Sequence, residues 1–159
     1  MRHALRNMIA LGSALAWLAG GMAAAQDKPA DSMDSLREQL RNDKRAVVTS
    51  VLDLTESESK AFWPVYNAYQ SDMVAHYDRL LKLLDTYAKN YDALTDDTAT
   101  SLLKQYLALE RDHVGILTAY LPRFQKVLPP KKVAKLYQVE NKARALVNYE
   151  LARGIPIAK

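Results

Sequence analysis

Ten apolar or aromatic residues between Phe62 and Leu94 recur only at steps of three and four, and this spacing constrains the chain more than any other feature. Phe62, Tyr66, Tyr69, Met73, Tyr77, Leu80, Leu84, Tyr87, Tyr91 and Leu94 fall on one side of a 3.6-residue helix. Such a helix spans roughly 50 Å at 1.5 Å per residue. One apolar side that long must be covered by other parts of the chain. Pro64 lies inside the run and removes one backbone donor, which predicts a kink near Phe62 to Pro64.

The remaining segments read as partners of the same kind. Beyond residue 25 the only glycines are Gly115 and Gly154, and no stretch alternates apolar with polar residues as a strand would. A first helix is predicted from about Asp34 to Leu52, with Met33, Leu36, Leu40, Val47, Val51 and Leu54 on its stripe. Thr55 then caps the long helix, and Glu58 reaches back to the Thr55 amide in a capping box. Thr95, Asp96 and Asp97 open a third helix carrying Leu103, Tyr106, Leu109, His113, Ile116 or Leu117, Tyr120 and Phe124, with Pro122 expected to bend its last turns. Leu128-Pro129-Pro130 breaks the chain, and Pro130 suits a first helical position. The fourth helix carries Val133, Leu136, Ala143, Leu146, Val147 and Leu151 and stops at Gly154. The expected fold is all-α: four helices in antiparallel hairpins, forming an elongated or cradle-like bundle.

The first 25 residues read differently. Arg2 and Arg6 precede an apolar run from Met8 to Leu18, and Ala23-Ala24-Ala25 follows. This is the order of a cleavable export signal, with cleavage expected after Ala25 and residues 26–32 as a polar tether before a single domain at 33–159. The expected location is the periplasm. The chain has no cysteine, so it offers no disulfide, thiol nucleophile or lipid-attachment site, and it tolerates an oxidising compartment. Arg2 and Arg6 belong to the leader, which brings the 22 basic residues of the whole chain close to its 18 acidic ones. That balance argues against a nucleic-acid partner.

Two turn segments, LTESE at Leu54 to Glu58 and LPPKKVAKL at Leu128 to Leu136, open helices at comparable places. They resemble degenerate copies of the LTxxQ motif of Spy/CpxP-type periplasmic proteins, and KAFWPVYNAYQ at Lys60 to Gln70 is similar to a pattern in small exported relatives. Glu58 and Lys132 stand where that motif has Gln, and Pro129 stands where its second copy has Thr. The resemblance implies a cradle-shaped homodimer acting as an ATP-independent chaperone or envelope-stress protein, with clients on the concave face. Leu54, Thr55, Glu58, Leu128 and Pro130 are the motif and cap residues. A signalling adaptor for an envelope-stress sensor domain, metal-responsive in one version, is the alternative, and a structural helical module is the third reading.

Three side-chain groups are candidates for the binding itself. Arg37, Arg41, Lys44 and Arg45 share one face of the first helix and would attract acidic or unfolded clients; the alternative is a solvated face, since Glu38 and Asp43 lie among them. Lys131, Lys135 and Lys142 form a similar set on the fourth helix. Trp63, Tyr66 and Met73 would offer an adaptable aromatic and thioether surface, against the plainer reading that they hold helices together. Trp63 lies off the main stripe and is the better exposed candidate. In a hairpin turning at Thr95, His76 and His113 lie opposite one another. With Asp72 and Glu110 one turn earlier they could form a weak divalent metal site, a pH-sensitive pair or a structural contact. No phosphate loop, nucleophile elbow or complete metal-ligand set is present in the sequence, so no cofactor and no enzymatic activity are expected.

Overall fold

The computed structural model describes residues 43–158, and among them the protein is all-α. The expected leader and tether, the expected start of the first helix, Arg37 and Arg41 lie outside the described residues. Helix α1 covers residues 43–52, α2 runs Glu56–Asn90, α3 Asp96–Gln125 and α4 Pro130–Gly154. A short 3-10 turn, Tyr91–Ala93, joins α2 to α3. No described helix is long and apolar enough to cross a membrane.

Each boundary has a local cause. The α1 helix ends at Asp53, whose φ of 46° is the left-handed conformation that closes many helix C-termini; an Asp tolerates it better than a branched residue would. Thr55 then starts α2 with the expected reciprocal box: the Glu58 amide donates to Thr55 Oγ1 at 3.2 Å, and the Thr55 amide donates to Glu58 Oε2 at 2.8 Å. Thr95 caps α3 by accepting from the Thr98 amide. Pro130 is the first residue of α4, and Leu128 and Val133, on either side of that start, are buried in one cluster as a hydrophobic staple.

The 35-residue α2 continues through Pro64, and α3 continues through Pro122 to Gln125. Pro64 is exposed, so the Lys60 carbonyl that loses its helical donor lies near water rather than in the core. The regular helix stops at Asn90, one turn short of Leu94, because the last residues tighten into the 3-10 turn.

Helices α2 and α3 form a long antiparallel hairpin. Its aromatic seam holds Phe62, Tyr66, Tyr69, Tyr120 and Phe124, with neighbouring ring centroids such as Tyr69–Tyr120 at 5.4 Å and Tyr69–Phe124 at 5.7 Å. Val48 and Leu52 from α1 and Val133 and Leu136 from α4 complete this main core. A smaller cluster, Leu83, Leu102 and Leu109, fills the far end of the hairpin.

Three predicted stripes are buried only in part. Val48 and Leu52 of α1 are fully buried, whereas Val47 is 46% exposed. Leu102 is buried in α3 while Leu103 is 58% exposed, and in α4 Glu140 points inward while Leu146 is 55% exposed. In α1 and at the start of α3 two adjacent residues both satisfied the apolar periodicity, and contact with the neighbouring helices selected between them. The predicted Leu109, His113, Tyr120 and Phe124 of α3 and Val133 and Leu136 of α4 are buried, and α4 leaves the core beyond Glu140.

Candidate partner-binding surface

Of the basic face of the first helix, Lys44 and Arg45 lie among the described residues, and both make contacts within the fold, although Arg45 remains exposed. Lys44 Nζ donates to Glu140 Oε2 at 2.8 Å and to Gln70 Oε1 at 3.1 Å. Glu140 is nearly buried, and it also accepts from the Tyr66 hydroxyl at 3.0 Å, the Gln70 amide at 3.3 Å and the Tyr69 hydroxyl at 3.4 Å. This network joins α1, α2 and α4 and satisfies a charge that would otherwise be costly to bury. Burial, followed by the charge of Glu140, raises the Tyr66 and Tyr69 hydroxyls far above the ordinary tyrosine range, so both remain donors. Arg45 lies 4.0 Å over the Trp63 ring, and Trp63 Nε1 donates to the Ser59 hydroxyl at 2.9 Å.

These contacts correct the aromatic assignment. Tyr66 and Met73 are core residues, 3% and 4% exposed, and cannot form a client surface without opening the hairpin. Trp63 is half-buried beneath Arg45, because its off-stripe position faces α1. Lys44 and Arg45 hold α1 in place through the same contacts.

The turn residues meet across the fold. Lys132 Nζ lies 2.6 Å from Glu58 Oε2 and donates to the Asp53 carbonyl at 2.6 Å. Lys135 donates to the Val51 carbonyl at 3.3 Å. The first-turn lysine of α4 opposes the helix dipole, and the Glu58 carboxylate offsets it. Lys132 first, then the Thr55 amide, hold the Glu58 carboxyl below its ordinary value.

The histidines face one another as the hairpin spacing implied, with ring centroids 5.5 Å apart. Both are about 4% exposed, and their Nδ1 atoms have no hydrogen-bond partner. Burial lowers both from the ordinary histidine value; Arg79 is the next cause for His76, and Arg144 for His113. The four-residue metal site does not assemble. Asp72 accepts from the Tyr120 hydroxyl at 2.7 Å, Glu110 pairs with Arg144 at 2.7 Å, and no group of three or more His, Asp or Glu comes together among the described residues. Each carboxylate is engaged by its own local partner.

What remains open is a flank of α3. Leu103, Leu107, Val114 and Leu121 are 58%, 47%, 58% and 37% exposed, and Tyr106 beside them is 45% exposed. Their steps of four, seven and seven keep them on one side of the helix over roughly 27 Å. A shallow depression lined by Leu107, Glu110, Arg111 and Val114 marks the middle of the flank. Leu146 and Tyr149 are also exposed on the distal half of α4, where no residue after Glu140 is buried. Exposed apolar surface on this scale commonly marks an interaction site. The spacing of this second stripe was readable beside the first, but its position outside the core was not.

No family model matches the chain, and neither a curated protein nor a solved structure matches it.

Proposed function

We propose that this protein works by binding rather than catalysis, as a periplasmic, ATP-independent holder of unfolded envelope proteins. The observation that supports the reading best is the exposed apolar flank of α3, from Leu103 to Leu121. Extended apolar segments of an unfolded chain can lie along such a flank, with Arg111 beside it for acidic residues. The leader-like start of the chain and the resemblance of its turns to the Spy/CpxP type agree with this role, and a homodimer belongs to the same reading. The binding surface in this proposal is α3 rather than the basic face of the first helix.

The test is suppression of aggregation of unrelated denatured proteins. Leu107→Ser with Val114→Ser alters only exposed positions, so the fold should persist while suppression falls severalfold. Unchanged suppression by this variant overturns the assignment of the surface. No suppression by the unmodified protein, with capture of one sensor domain instead, overturns the holding role in favour of a signalling adaptor.

A further inference from the structure

The His76–His113 pair has no role in the surface above, and its chemistry is unusual. Two imidazoles from opposite helices are buried, face each other at 5.5 Å between ring centroids, and leave both Nδ1 atoms without a partner. Buried polar atoms are rarely left unpaired, and an exception calls for an unseen ion, a water or a functional group. From these positions we propose that His76 and His113 together hold one monovalent copper ion, copper(I), across the α2–α3 seam. This proposal is independent of the client-binding reading.

The spacing suits one shared ion. An imidazole nitrogen sits about 2.0 Å from a bound metal. Each ring centre then lies roughly 3 Å from the ion, and two rings on one ion have centres about 5 to 6 Å apart. The surroundings select the kind of ion. Neutral imidazoles suit late transition metals, whereas hard cations need oxygen ligands. The neighbouring carboxylates of Asp72 and Glu110 are committed to Tyr120 and Arg144. The guanidiniums near the pair are compensated by carboxylates, Arg79 by Asp112 at 3.2 Å and Arg144 by Glu110 at 2.7 Å. A dication that needs four ligands would find only two imidazole nitrogens here. A singly charged ion that accepts as few as two ligands does not meet that obstacle. Met73 lies one turn before His76 on the same buried side of α2, and its soft thioether favours the same ion.

The test is an anaerobic titration of the purified protein with copper(I) in competition with bicinchoninate, which reports the free ion by colour. The chain has no cysteine, so thiolate binding does not confuse the result. One ion per chain is expected, with at least tenfold weaker binding in both His76→Gln and His113→Gln and unchanged binding in Asp72→Asn. X-ray absorption of the loaded, unmodified protein should show nitrogen neighbours characteristic of imidazole, which keeps the test decisive should a histidine variant fail to fold. Absence of a bound ion, tight binding that persists in both histidine variants, zinc bound as tightly as copper(I), or a first shell without imidazole nitrogen would each overturn the site.

Discussion

The Lys132 ammonium lies 2.6 Å from the Glu58 carboxylate, so two charged residues that each stand in the first turn of a helix neutralise one another. They are 74 residues apart in sequence, and each occupies the third position of its helix. Each charge compensates the other, which makes the two helix starts one coupled unit.

That coupling is measurable. Glu58→Gln and Lys132→Gln should each lower the Tm by leaving one charge without its partner. The double substitution should recover part of the loss. Because Glu58 titrates below its ordinary value of 4.5, its stabilisation is complete above that pH and is lost as pH falls through the lowered value. Lys132→Gln removes the largest cause of the lowering and should make the acid limb of the stability curve shallower. Thermal melts from pH 6 to 3 on the four proteins decide this; additive losses would mean the pair is uncoupled.

The buried histidines predict a second pH dependence at higher pH. Both titrate below 6.5 in the fold but near that value when unfolded, so the unfolded chain takes up protons first. Stability is therefore complete above about pH 6.5 and falls below it, by up to about 1.4 kcal/mol per pH unit for each histidine until its folded value is reached. Arg79 of α2 and Arg144 of α4 oppose the charged forms, while Glu110 and Asp112 of α3 and Glu140 of α4 partly favour them. Denaturant melts at pH 7.5 and 5.5 should show the loss, and His113→Gln should reduce it.

Glu140 anchors three helices, and its replacement should be costly. Glu140→Leu removes the acceptor shared by the Tyr66 and Tyr69 hydroxyls and leaves the Lys44 ammonium only the Gln70 side chain, at a cost of roughly 3–5 kcal/mol. Lys44→Met should cost less, about 1–3 kcal/mol, because three neutral donors still serve the carboxylate. In Lys44→Met, hydrogen exchange should accelerate first in α1. Equal acceleration throughout the molecule would show that α1 is not held by this contact.

The two threonine caps should be similar in strength. Thr55→Ala removes the hydroxyl that accepts from the Glu58 amide but keeps the backbone amide that donates to Glu58, and Thr95→Ala removes the hydroxyl that accepts from the Thr98 amide and donates to the Thr98 hydroxyl. Both should fall within about 0.5–2 kcal/mol. Partner binding should survive Thr55→Ala wherever the fold survives. Its loss in a fully folded variant would make Thr55 a binding residue.

The C-terminal segment is held by two tyrosine hydroxyls, Tyr87 to the Pro156 carbonyl at 2.8 Å and Tyr91 to the Ile157 carbonyl at 3.1 Å. Tyr87→Phe with Tyr91→Phe should hasten proteolysis beyond Gly154 severalfold and leave α2 and α3 intact, as mass spectrometry of the fragments would show. An unchanged cleavage rate would mean that other contacts hold this segment.

The local order of residues was enough to establish the all-α class, the capping box at Thr55, the cap at Thr95, the start of α4 at Pro130 and the juxtaposition of His76 with His113. Each depends on interactions within one turn, or on hairpin arithmetic set by a short connection, and such spacing is written directly in sequence. Tertiary structure decided the rest. It buried Val48 rather than Val47 and Leu102 rather than Leu103, because a helix shows two adjacent apolar residues almost equally and only its neighbours choose the inward one. It directed Lys44 to Glu140 and Lys132 to Glu58, because an ion pair across distant segments depends on helix register. It placed Tyr66 and Met73 in the core and left Leu103, Leu107, Val114 and Leu121 uncovered, because exposure is settled by how far the other helices extend over each face.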